Sequence, residues 1–112
     1  MKNEFCFVKD QSGGYKKVSF EDLLFVKSLG NYLQFVTING TFIALGALSA
    51  LESELSHHDR FARVHKSYFV NIQRVEHLSP GGLLVGGHEI PVGGKFMENI
   101  KETFILQHVL KL

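Results

Sequence analysis

Short apolar stretches separated by glycine-bearing breaks run along the whole chain. Phe5 to Lys9 and Tyr15 to Ser19 flank Ser12-Gly13-Gly14 and read as two strands around a turn. After the polar break Glu21-Asp22, the run Leu23, Leu24, Phe25, Val26 shows no alternation, which implies burial on both faces. Leu29-Gly30-Asn31 interrupts the pattern again. Leu33 to Ile38 and Thr41 to Leu45 then flank Asn39-Gly40, a dipeptide suited to a type I′ hairpin turn because both residues tolerate positive φ. From Ala47 to Leu55 the period changes: Leu48, Leu51 and Leu55 form one helical stripe, with Glu52 and Glu54 off it. His57, His58 and Asp59 end that helix. Arg74 to Leu78 and Leu83 to Val85 read as strands around Pro80-Gly81-Gly82, and Gly86-Gly87 turns the chain into His88 to Val92. A last helix is expected from about Lys95 to Val109, with Phe96, Ile100, Phe104 and Val109 inward. About eight strands and two helices, without βαβ alternation, predict a mainly β fold of antiparallel sheets with helices attached.

Composition narrows the picture. At 112 residues, 45% of them apolar and 21% charged, the expectation is one globular domain over 1–112, its core about 5–106. Ten Phe, three Tyr and eleven Gly against two Pro agree with strands and tight turns. The single cysteine, Cys6, has no partner for an intrachain disulfide and fits a reducing compartment. With no long apolar run and no signal-peptide pattern, the reading is a soluble, cytoplasmic protein. The net charge is +1, yet residues 60–74 hold Arg60, Arg63, Lys66 and Arg74 and no acid. One short +4 segment on a mildly acidic body suggests a local anion-binding surface.

Enzyme chemistry finds little support. His57 and His58 are adjacent and lack the i, i+4 spacing of a helical metal site, so a solvated helix end is the simpler reading. Asp59, His65 and Ser67 contain the residue types of a hydrolase triad but no nucleophile elbow. The pairs Gly13-Gly14, Gly81-Gly82 and Gly86-Gly87 are hairpin turns without phosphate-loop spacing. Gly93-Gly94 precedes Lys95 at a helix start, where an anion could sit, although a plain turn explains it as well. No catalytic residue, metal or cofactor is expected. In the basic segment, Phe61, Val64, Phe69, Val70 and Ile72 can anchor to the core, and Asn71 among them implies a buried amide bonded to backbone in an irregular turn. Lys66 and Ser67 are then donors on a rigid support, as phosphate and base contacts require.

Four strings together carry a specific likeness. Phe61-Ala-Arg-Val-His-Lys-Ser-Tyr-Phe-Val-Asn71 resembles the F-x-R-x-H-[RK]-S-[YF]-[ILV]-V-N signature of LytTR domains, the DNA-binding output domains of bacterial response regulators. Asp22 to Tyr32, the helix Leu48, Leu51, Glu52, Leu55, and Ile90-Pro-Val-Gly-Gly-Lys95 resemble three further elements of that family, in the expected order. The resemblance implies an elongated set of antiparallel β-sheets with one or two short flanking helices. It implies sequence-specific binding of double-stranded DNA, on repeated sites, by loops entering major grooves, in transcription regulation through a two-component system. Carried over by motif position, Tyr32, Lys66 and Lys95 fall to base edges, and Asn31, Arg63, His65 and Ser67 to phosphates. Lys27 and Gly94 depart from the family pattern, which has Glu commonly at the first and a basic or polar residue frequently at the second. The family's usual companion is a receiver domain, and no such βα series occurs here, so the chain is either a fragment or a domain acting alone, with a homodimer on DNA supplying added affinity. The rival reading is a β-rich protein-interaction or ligand-sensing module that has lost DNA binding.

Overall fold

The computed structural model describes residues 4–55 and 57–112. These form ten strands: β1 (Phe5–Lys9), β2 (Tyr15–Ser19), β3 (Leu23–Leu29), β4 (Tyr32–Thr37), β5 (Gly40–Leu45), β6 (Phe61–His65), β7 (Tyr68–Asn71), β8 (Val75–Ser79), β9 (Gly82–Val85) and β10 (His88–Ile90). Helix α1 (Leu48–Leu55) follows β5, and α2 (Gly94–Ile100) follows β10. All pairings are antiparallel, in three sheets: β1-β2, β10-β9-β8, and the central five-stranded β5-β4-β3-β7-β6. The molecule is elongated, 50 × 33 × 25 Å. No described helix is long and apolar enough to cross a membrane.

The unalternating run in β3 explains the layering. Leu23 and Val26 join one core cluster, and Leu24 and Phe25 join another. A register shift against β4 between Leu23 and Phe25 breaks the strict two-residue period and puts Leu24 and Phe25 on the same face, while layers on both faces bury all four. The first cluster packs α1 and the β1-β2 ribbon on one face of the central sheet, through Leu48, Leu55, Cys6, Val8 and Val18. The second packs the β8–β10 sheet and α2 on the other, through Leu83, Val85, Ile90 and the fully buried Ile100. Burial pushes the Cys6 thiol above its usual pKa.

Asn71 is 1% exposed and ties the layers together. Its Nδ2 donates to the carbonyls of Phe20 (3.0 Å) and Leu23 (2.8 Å), and its Oδ1 accepts from the Gln73 amide (3.1 Å). The amide thus stitches the β2–β3 corner to the end of β7 and caps a 3-10 turn at Ile72–Arg74.

Three expectations need correction. The β4-β5 hairpin forms, but not through a type I′ turn on Asn39-Gly40. Thr37 pairs with Gly40, so the loop is Ile38-Asn39, and neither of these two residues has positive φ. Gly40 alone takes that conformation (φ 126°), while the Thr37 hydroxyl donates to the Gly40 carbonyl and accepts from the Asn39 amide. The strand count rises from eight to ten because the basic segment itself is a hairpin, β6-β7. The last helix ends early: α2 stops at Ile100, a π-helical turn covers Lys101–Ile105, and Val109 is exposed, not inward.

Candidate nucleic-acid interface

Strand register brings the expected site residues to one end of the molecule. Lys27 of β3 pairs with Tyr68 of β7, and the Ser28 amide donates to the Ser67 carbonyl (2.9 Å). The β3–β4 turn, Gly30-Asn31, therefore lies beside the β6–β7 turn, Lys66-Ser67. The start of α2 joins them, because the Gly93 amide donates to the Val64 carbonyl (2.9 Å) next to the same turn. That bond occupies the Gly93 amide and makes Gly93-Gly94 a turn that docks α2 on β6. Lys95 then projects from the first turn of α2 with its ammonium 5.1 Å from the Phe96 ring centroid.

In the first turn, Gly30 supplies the left-handed conformation (φ 62°) that closes Leu29 onto Tyr32. The Asn31 carbonyl accepts from the Gly46 amide (3.0 Å), which fixes the backbone and leaves its side chain exposed. Tyr32 is 44% exposed, a large share for an aromatic residue at a strand start. Leu45 lies opposite it and is also exposed.

The second turn is held at nearly every backbone group. Arg63 Nε donates to the His65 carbonyl (2.9 Å), one terminal nitrogen to the Lys66 carbonyl, and the other to Glu52 Oε1 (2.9 Å). The Ser67 amide donates to His65 Nδ1 (3.0 Å), and the Ser67 carbonyl accepts from Ser28. With Nδ1 accepting, a neutral His65 ring carries its proton on Nε2. The His65 ring also stands edge-on to Tyr68, centroids 5.6 Å apart. Lys66 is exposed at the tip of this braced loop, and Ser67 is half-buried beside it.

Arg63 is placed differently from its neighbours. Its side chain is only 18% exposed, and its guanidinium is committed to three acceptors within the protein. Two residues that the motif reading named without giving them a role also take part. Glu52 of α1, off the apolar stripe, is the carboxylate that anchors Arg63. Lys27 extends its ammonium over the Tyr68 ring, 5.6 Å from the centroid, and adds a positive charge at the same end. Neither spacing nor periodicity marks these two, because both depend on which strands become neighbours.

A sequence model of the LytTr DNA-binding domain matches residues 13–105. No curated protein matches the chain. Among solved structures, the LytTr DNA-binding domain of a response regulator from Bacillus cereus is similar, with TM-score 0.76 at 18% identity over 91% of this chain and 97% of that one. At that identity the structural likeness speaks for the fold, whereas the sequence match covers most of the chain and settles the family. The chain belongs to the LytTr DNA-binding domain family.

Proposed function

We propose that this domain binds double-stranded DNA sequence-specifically, in the cytoplasm, as the output domain of a bacterial transcriptional response regulator. In this reading a receiver domain accompanies it in the full-length protein, and a homodimer occupies repeated sites. The function is binding, without catalysis. The observation that carries the proposal is the braced β6–β7 turn. Its backbone groups are spent on internal partners while Lys66 stands exposed at the tip, so a cationic donor is presented with little loop entropy left to lose on binding.

Tyr32, Lys66 and Lys95 are assigned to base edges in the major groove. Lysine is a point donor for guanine O6 and N7, and the Tyr32 hydroxyl both donates and accepts. Asn31, His65 through Nε2–H, and Ser67 are assigned to phosphates. Arg63 receives a different role from that implied by family position: it positions the turn and leaves the phosphates to its neighbours.

The test is selection of duplexes from a random pool by the purified domain, followed by fluorescence-anisotropy titration at two salt concentrations. Enrichment of a repeated motif, with log K falling steeply against log salt, is the expected result. Absence of enrichment together with a shallow salt dependence would overturn the proposal in favour of a protein-interaction module.

A further inference from the structure

The β1-β2 ribbon has two faces. Cys6, Val8 and Val18 turn to the core, whereas Phe5, Phe7 and Lys9 of β1 and Tyr15 and Lys17 of β2 turn outward. Midway along this outer face, opposite Phe7, Lys17 is occupied, its ammonium 4.5 Å from the centroid of the Phe5 ring. At the turn end, Lys9 lies opposite Tyr15 and helps line a groove of about 480 Å³ with Asp10, Gln11, Gly13, Tyr32 and Leu45. The Gln11 amide pins this turn to the central sheet through the Ile43 carbonyl (3.1 Å). The groove is thus shared between the ribbon and Tyr32, a residue assigned above to the DNA.

Charge favours an anion here. Lys9 lines the groove on the same ribbon face as Tyr15, and the nearby carboxylate, Asp10, is engaged by its own loop. One Asp10 oxygen accepts from the Ser12 amide (3.0 Å) and hydroxyl (2.6 Å), which holds the carboxylate in the loop. Because Tyr32 and Lys9 line the same groove, a duplex seated on Tyr32 would bring its backbone within reach of the ribbon turn.

We propose that the β1–β2 turn is a fourth DNA-contacting element, with Lys9 holding a backbone phosphate that flanks the bases read through Tyr32. Lys9 lies ahead of the segment, 13–105, that matches the family model. The inference rests on the DNA-reading proposal above.

The experiment measures the salt slope of binding to a 24-bp duplex, both selected and random, for wild type, Lys9→Gln, Lys17→Gln and Lys66→Ala. Loss of one phosphate contact lowers the slope by about 0.9, so Lys9→Gln should lose about 3.5-fold less affinity than wild type between 50 and 200 mM salt. Lys17→Gln, the same charge change on the same ribbon, should match wild type. Shortening the duplex at the flank should lower the wild-type slope equally and make Lys9→Gln silent. A steep wild-type slope and a Lys66→Ala defect, with Lys9→Gln indistinguishable from wild type, would overturn this inference and leave the DNA-reading proposal standing. A Lys17→Gln change as large as that of Lys9→Gln would overturn it too, since only bulk charge would then be at work. No salt-dependent binding by wild type to either duplex would remove both proposals.

Discussion

Replacing Arg63 by methionine keeps an unbranched apolar stem and removes every donor, which isolates the bracing role. Three bonds are lost: those to the His65 and Lys66 carbonyls and the ion pair with Glu52. A charged donor to a buried carbonyl contributes about 1.5–3 kcal/mol, and partial exposure of this side chain reduces that to about 1 kcal/mol for each carbonyl. The pair with Glu52, whose side chain is 44% exposed, adds about 0.2–1 kcal/mol. The expected loss is therefore about 2–3 kcal/mol by urea denaturation, survivable for a domain of ordinary stability. Arg63→Lys should recover little, because one ammonium cannot reach three acceptors that fit a planar fork. Affinity for DNA should fall as the Lys66 turn loosens, while the slope of log K against log salt stays at the wild-type value. Full stability in Arg63→Met, with a slope lowered by about 0.9, would refute the reasoning and make Arg63 a phosphate contact.

Other consequences are equally direct. Asn71→Leu strands two buried carbonyls and an amide and should destabilise the domain by about 3–5 kcal/mol in chemical denaturation, against under 1 kcal/mol if the bonds are incidental. Gly82→Ala should be harsher than Gly87→Ala: both have positive φ, but a Cβ at Gly82 runs into the Ile90 carbonyl, whereas none of the surroundings lies within 4 Å at Gly87. Thermal unfolding should register about 3 kcal/mol for the first and about 1 kcal/mol for the second. The Ser12 hydroxyl, ahead of the backbone amides and Lys16, holds the Asp10 carboxyl below the usual aspartate range. Its contribution to the turn is therefore present above the ordinary aspartate pKa and disappears as pH falls through the lowered value. An NMR titration of Asp10 should move upward in Ser12→Ala, and an unchanged titration would contradict that cause.

Legibility in the sequence followed the range of the interactions. The two-sided burial of Leu23 to Val26, the leucine stripe of α1 and the structural use of Asn71 were all visible, because each depends on residue type and local period. The bulge that makes the β3 pattern work was not, since it depends on the pairing partner. The Asn39-Gly40 dipeptide announced a hairpin but misled about its turn, where Thr37 hydrogen bonds favour an Ile38-Asn39 loop and leave only Gly40 at positive φ. At the other end of the chain, Val109 continued a helical spacing that stops being helical after the π turn. The candidate site was readable only as a set of motifs. Its assembly, with Ser28 bonded to Ser67 and Gly93 to Val64, required the sheet order. The brace by Arg63 was hidden for the same reason, since Glu52 comes from α1.

The central claim is that an exposed lysine on a pre-braced turn reads bases. The most direct measurement is the affinity of Lys66→Ala for a selected duplex and for a random duplex of the same length. A base contact predicts a loss of about 1–3 kcal/mol on the selected duplex and a small one on the random duplex. Equal losses on both would reduce Lys66 to a phosphate contact and contradict the claim.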